Sequence, residues 1–217
     1  MADLTLTIGN KNYSSWSLRP WLAAKMGGIA FDEVLIPLYQ PGSRERILSH
    51  SAAGKVPVLH HGAVTVWESL AVCEYLAETF PEAGLWPADK AARAAARAVA
   101  TEMHNGFLPL RRHLPMNVRR SPSVRDIPLE VQADIDRVAT IWRDCRARFG
   151  QGGDCLFGRF TIADAMYAPV VSRFRSYRVP LGSVEDAYCT AIMDLPPMRE
   201  WITAAKAEPW VVENFEV

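Results

Sequence analysis

The sequence carries no excess of charge. Its 24 basic and 24 acidic residues leave a formal net charge of zero over 217 residues. A dedicated nucleic-acid binder usually shows a clear basic surplus, so that class is set aside. The doublets Arg111-Arg112 and Arg119-Arg120 read as solvated helix faces. Long apolar runs are missing too, and nothing approaches the roughly 20 residues a membrane-spanning helix needs. The opening residues, Met-Ala-Asp-Leu-Thr-Leu-Thr-Ile-Gly, lack the charged and apolar regions of a secretory leader. Cysteine is sparse: Cys73, Cys145, Cys155 and Cys189, with no C-x-x-C pair and none before position 73. Disulfide exchange through an enzyme thiol near the amino end is therefore set aside. Free, mostly buried thiols in a reducing cytoplasm are expected. The histidines are His50, His60, His61, His104 and His113. None forms an H-x-x-x-H or His–Cys group, and adjacent His60 and His61 point to opposite faces of a strand. No metal site is expected.

What is present is a hydrophobic content of 49%, enough for one large domain or two modest ones with real cores. The first 80 residues mix short strand patterns with helical ones. Leu4-Thr5-Leu6-Thr7-Ile8 alternates as a strand does. Residues 17–27 read as a helix ending at Gly27-Gly28. Pro20 is tolerated only near a helix start, which puts that start close to residues 15–17. A second strand is expected over 31–36, a weak helix over 42–50, a hairpin from 56–59 and 64–66, and a strong helix over 69–80. The order is β-α-β-α-β-β-α, a small mixed sheet covered by helices. A Pro/Gly linker, Phe80 to Pro87, follows, and strand signals then nearly vanish. One long helix is expected over 88–112 and another over 128–148. A third starts at Phe160-Thr161-Ile162-Ala163-Asp164, where Thr161 and Asp164 make a variant capping box, and shorter helices lie near 184–193 and 197–206. The fold class is α+β, with an N-terminal unit over 1–81 and an all-α unit over 88–217.

The densest chemistry lies in Tyr13-Ser14-Ser15-Trp16-Ser17-Leu18-Arg19-Pro20. It sets several hydroxyls at a helix N-terminus, where free N–H groups and partial positive charge stabilise an anion. That suits holding a small thiol as its thiolate. Four elements, in order and spacing, carry a wider resemblance: Ser14-Ser15-x-Ser17-x-Arg19, Gly54-Lys55-Val56-Pro57-Val58-Leu59, Trp67-Glu68-Ser69-Leu70-Ala71, and Phe160 to Asp164. Through them the chain resembles the cytosolic glutathione transferases over essentially its full length, in particular serine-type, zeta- and theta-like bacterial members.

The resemblance implies a thioredoxin-like N-terminal unit with a cis bond before Pro57. Val56 would then pair strand-fashion with the cysteinyl part of glutathione. Glu68 would meet the γ-glutamyl amine, and Ser69, at a helix start, its carboxylate. Gln40, His50 and Lys55 are candidates for the glycine carboxylate. Ser14 is the expected catalytic residue, with Ser15 and Tyr13 as rivals. A free thiol has a pKa of about 8.5, and lowering it by about two units takes on the order of 2.7 kcal/mol. One charge-assisted hydrogen bond of ~1.5–3 kcal/mol plus a helix terminus of ~0.3–1 kcal/mol supplies that.

The activity implied is addition of glutathione, the co-substrate, to a small hydrophobic electrophile, as in detoxification. Glutathione-dependent isomerisation of the maleylacetoacetate type and non-catalytic ligand binding are the alternatives. Trp16 stands where zeta-class members have cysteine, and its indole would narrow or wall the site. The electrophile pocket is expected between the units, walled by Trp16; Met103, His104, Phe107 and Arg111 fall at helical spacing to face it, and Met103, Phe107 and Leu110 read equally well as core. Arg19 is expected to reach acidic groups of the helical unit. A cytoplasmic homodimer is implied, with the N-terminal unit of one chain on the helical unit of the other.

Overall fold

Alternating Leu4, Leu6 and Ile8 bury one side of the first strand, β1 (Leu4–Ile8). It becomes an inner strand of a four-stranded sheet ordered β2-β1-β3-β4. β2 (Asp32–Leu35) runs parallel to β1, whereas β3 (Val58–His61) is antiparallel to it, with Leu6 opposite Leu59. β4 (Val64–Trp67) closes the hairpin with β3. The computed structural model describes residues 3–123 and 126–216. Met1, Ala2, Val124, Arg125 and Val217, which the two expected units include, lie outside the described residues.

Helices α1 (Ser15–Met26), α2 (Ser43–His50) and α3 (Ser69–Thr79) complete the βαβαββα order expected of a thioredoxin-like unit. An all-helical unit follows: α4 (Lys90–Asn105), α5 (Leu108–His113), α6 (Leu129–Phe149), α7 (Ile162–Ser176), α8 (Ser183–Asp194) and α9 (Pro196–Ala207). α7 is buried along nearly its whole length because it packs on α1, α4 and α8 together. Its start is fixed by the capping box of Thr161 and Asp164. Asp164 is fully buried and accepts from the N–H of Leu156 and Thr161 and from the Thr161 and Tyr188 hydroxyls. Burial pushes its carboxyl up to about 6 against these bonds.

Three expectations are corrected. The single helix over 88–112 is two. Asn105 ends α4, Phe107 adopts φ 63°, and Pro109 sits in the first turn of α5. Pro20 lies in the second turn of α1, deeper than expected. A proline there offers no N–H to the carbonyl four residues back. That carbonyl belongs to Trp16, and the Ser69 hydroxyl donates to it at 2.7 Å. Of the arginine doublets only Arg112 is an exposed helix face; Arg111, Arg119 and Arg120 are half-buried, and the last two lie outside any helix. Arg111 packs against Trp16, as described below. Arg119 binds the segment after α9, donating to the carbonyls of Glu208 and Trp210 and to the Tyr13 hydroxyl. The Glu208 carboxylate returns to the first loop, accepting the N–H of Lys11 at 2.6 Å and of Asn12 at 3.0 Å.

Candidate active site

Two helix N-termini meet at one cleft of about 900 Å³. The first belongs to α1. Ser14 is its N-cap, with its Oγ accepting the Ser17 N–H at 3.3 Å. The Ser14 and Ser17 hydroxyls lie 2.8 Å apart, and Ser17 Oγ also accepts the Gly9 N–H at 3.0 Å. Ser14 lines the cleft, as do Ser15 and Trp16. Tyr13 reaches the cleft too, but its hydroxyl is occupied: it contacts Glu216, accepts from Arg119 at 3.0 Å and accepts the Val212 N–H at 3.3 Å.

The second terminus belongs to α3. Glu68 precedes it at φ 69°, a costly backbone for a side chain and one that recurs at ligand sites. Its half-exposed carboxylate lies 3.9 Å from His104 Nε2. Ser69 opens the helix on the cleft, but its hydroxyl is spent on the Trp16 carbonyl. The free N–H groups of the first turn remain for an anion. Val56 and Pro57 line the same wall, the bond between them is cis, and Val56 lies just before the β3 ladder, which begins at Val58. Gln40 and Lys55 are also on that wall. His50 is not; it is directed to Thr7, with Nδ1 3.2 Å from the hydroxyl.

The opposite wall comes from the helical unit. His104 lies edge-on to Trp16, with ring centroids 5.2 Å apart. Burial and then Arg19 hold its imidazole below its ordinary pKa, against an opposing pull from Glu68. Met103 and Phe107, expected to face the cleft, do not line it; both are buried in the core. The break at Gly106 takes Phe107 off the helical spacing that suggested otherwise. Arg111 does line it, and its guanidinium lies 4.8 Å from the Trp16 ring.

Sequence reasoning missed Arg173, Tyr39, Arg44 and Phe215, which share the cleft. Arg173 hides in an apolar helix; a cation in so buried an element is the one signal that could have singled it out. Arg19 departs from its expected role. It is fully buried, donates to the Met166 carbonyl at 3.3 Å, and its guanidinium lies 4.3 Å from the Trp16 ring, with no acidic partner among the described residues. All four cysteines are free and buried. Among the described residues no group of three His, Cys, Asp or Glu side chains could hold a metal ion, and no helix is long and apolar enough to cross a membrane.

Two family models match this chain. Residues 13–79 match the glutathione S-transferase N-terminal domain and residues 128–204 the glutathione S-transferase C-terminal domain, together well over half of the chain. The chain belongs to the glutathione S-transferase family. Among curated proteins it is similar to a probable maleylacetoacetate isomerase of Caenorhabditis elegans, at 33% identity over 96 residues, which is 44% of each chain. It therefore spans under half the length of that relative. It is also similar to the maleylacetoacetate isomerase of Rattus norvegicus, at 28% identity over 77% of this chain and 76% of the relative. The fold is shared with a crystal structure of a glutathione transferase homolog from Burkholderia gl BGR1 with bound glutathione. That likeness has a TM-score of 0.70 at 22% identity and covers 94% of this chain and 99% of that one.

Proposed function

We propose that this cleft binds glutathione and that Ser14 holds its thiol as the thiolate for attack on a small electrophile. One observation carries the reading: Ser14 caps α1 inside a cleft whose neighbouring wall is the N-terminus of α3, beside Glu68. The γ-glutamyl carboxylate meets the free N–H groups of α3, and its amine meets Glu68. Val56 pairs with the cysteinyl backbone, and Gln40 or Lys55 takes the glycine carboxylate. The Ser14–Ser17 pair serves the sulfur. The Ser14 hydroxyl donates to Ser17 Oγ; turned from Ser17 to the sulfur it donates to the thiolate, and the α1 terminus adds its field.

The thiol proton passes to water. The sulfur lone pair forms the C–S bond. The displaced electron pair departs with a leaving group or is quenched by a proton at the neighbouring carbon. Glutathione-dependent isomerisation is the second reading, favoured by the isomerase relatives. It uses the same thiolate but releases glutathione again by breaking the C–S bond it made. A cytoplasmic homodimer completes the proposal, and sedimentation tests the dimer.

Incubation with glutathione and a panel of electrophiles, with free thiol and product both followed, tests the reading. Thiol consumed in step with product supports transfer. Product without thiol consumption, but dependent on glutathione, supports isomerisation. Glutathione binding without either identifies a ligand-binding protein and overturns the catalytic reading.

A further inference from the structure

The loop that leads into Ser14 is held from the other unit. Lys11 and Asn12 have four main-chain hydrogen-bonding groups between them, and all four are engaged by the helical unit or by the segment after α9. Their N–H groups donate to the two carboxylate oxygens of Glu208, at 2.6 and 3.0 Å. The Lys11 carbonyl accepts from Trp201 Nε1 at 2.9 Å, and the Asn12 carbonyl accepts the Val118 N–H at 3.2 Å. The Asn12 side chain repeats the pattern. Its oxygen accepts the Arg119 N–H at 2.8 Å, and its amide donates to Asn117 at 3.1 Å. The turn beyond is tight, with the Asn10 carbonyl accepting the Ser14 N–H at 2.8 Å, so the seat of Lys11 and Asn12 decides the seat of Ser14. Glu208 is the acid of this set and is 8% exposed. Burial raises its carboxyl above the ordinary value, while the two N–H bonds and the fields of Lys11 and Arg119 pull it back. Both cations are engaged elsewhere: Lys11 Nζ lies 2.6 Å from Glu33, and Arg119 donates to the carbonyls of Glu208 and Trp210 and to the Tyr13 hydroxyl. A buried acid is costly unless its bonds compensate, and a carboxylate can accept two N–H groups at once where an amide offers one oxygen.

We propose that Glu208 is a positioning residue for the thiol chemistry: by holding Lys11 and Asn12 from the segment after α9, its carboxylate sets the Ser14 hydroxyl and the first N–H groups of α1 at the sulfur. Glu208 does not line the cleft, so it acts through the loop. The inference rests on the glutathione reading, since the sulfur served is that of the tripeptide. None of the loop's anchors belongs to the α3 wall, where Glu68 and Ser69 meet the γ-glutamyl group in that reading. Binding of the tripeptide and activation of its thiol are therefore separable. Oriented donors stabilise a developing charge only where their geometry is fixed, and a shift of about 1 Å transmitted from a distant residue costs reactivity steeply.

Ultraviolet titration of the thiol of bound glutathione, with the affinity of S-methylglutathione measured beside it, tests the assignment. In Glu208→Gln the amide oxygen accepts one N–H and the amide nitrogen faces the other. The bound thiol is expected to titrate about half a unit or more above wild type, roughly a threefold change in proton affinity, while S-methylglutathione affinity stays within about twofold. Glu185→Gln is the control. That acid is also buried, pairs with Arg143 and lies outside the cleft, so its variant should lose stability and keep the wild-type titration. Should Glu208→Gln not fold, Trp201→Phe, which removes the donor to the Lys11 carbonyl, is read in the same way and should shift the thiol in the same direction. A folded variant whose bound thiol titrates as in wild type overturns the proposal and leaves the glutathione reading intact. An equal thiol shift in Glu185→Gln, or a loss of S-methylglutathione affinity in step with the thiol shift, also overturns it. Wild type that binds neither glutathione nor S-methylglutathione overturns both.

Discussion

Ser69 and Pro20 should be energetically coupled, although they lie on different helices. Pro20 leaves the Trp16 carbonyl without its helical N–H, and the Ser69 hydroxyl replaces that donor at 2.7 Å. Ser69→Ala therefore strands a half-buried acceptor, at a cost of ~1–3 kcal/mol. In a Pro20→Ala background the new N–H reaches Trp16 by the ordinary i to i−4 bond, and the same Ser69→Ala change should cost only ~0.5 kcal/mol. Pro20→Ala alone combines relief of the ring clash with a looser unfolded chain, which costs ~0.4–1 kcal/mol. That contribution is common to both arms of the cycle and cancels. The expected coupling is ~1–2 kcal/mol, read from urea unfolding of the four variants. Additivity within ~0.5 kcal/mol would refute the replacement of one donor by the other. Because the Ser69 hydroxyl is already engaged, Ser69→Ala should also keep much of its glutathione affinity.

Arg19→Met should leave stability unchanged or raise it by ~1–3 kcal/mol, since an unpaired buried cation is removed; thermal unfolding that falls markedly would refute this. Asp164 sits at about 6 in the folded chain, above the usual value near 3.9, so the native state holds that proton more tightly. Its contribution to stability is present below pH ~4 and is lost as pH rises toward about 6, a span of at most ~3 kcal/mol. The stability of wild type minus that of Asp164→Asn should fall across that window; a rise would contradict the sign.

Much of the fold was legible because local and global signals agreed. The alternation in Leu4–Ile8, the hairpin around Gly62, the Ser14 cap and the Thr161–Asp164 box each fixed an element by its own chemistry. The break between α4 and α5 was not, because an Ala- and Arg-rich run keeps helical propensity up to a single Gly106. Phe107 was misassigned for the same reason, since the helical spacing does not continue past Gly106; Met103 precedes the break and falls on the buried face of α4 with Ala96 and Ala100. Pro20 was read by the rule that a deep proline breaks a helix, and the rule is met from another helix through Ser69. The N-terminal wall of the cleft could be anticipated because its ligand contacts come from short contiguous motifs. The helical wall could not. Arg173 and Phe215 reach it from distant segments, and Arg19 finds a carbonyl and an indole where acids were expected.

The most direct test is the ultraviolet titration of the thiol of bound glutathione in wild type and Ser14→Ala. The account predicts a bound thiol about two units below the free value near 8.5, and a return of at least one unit in the variant while glutathione stays bound. A variant whose bound thiol titrates as in wild type would contradict it.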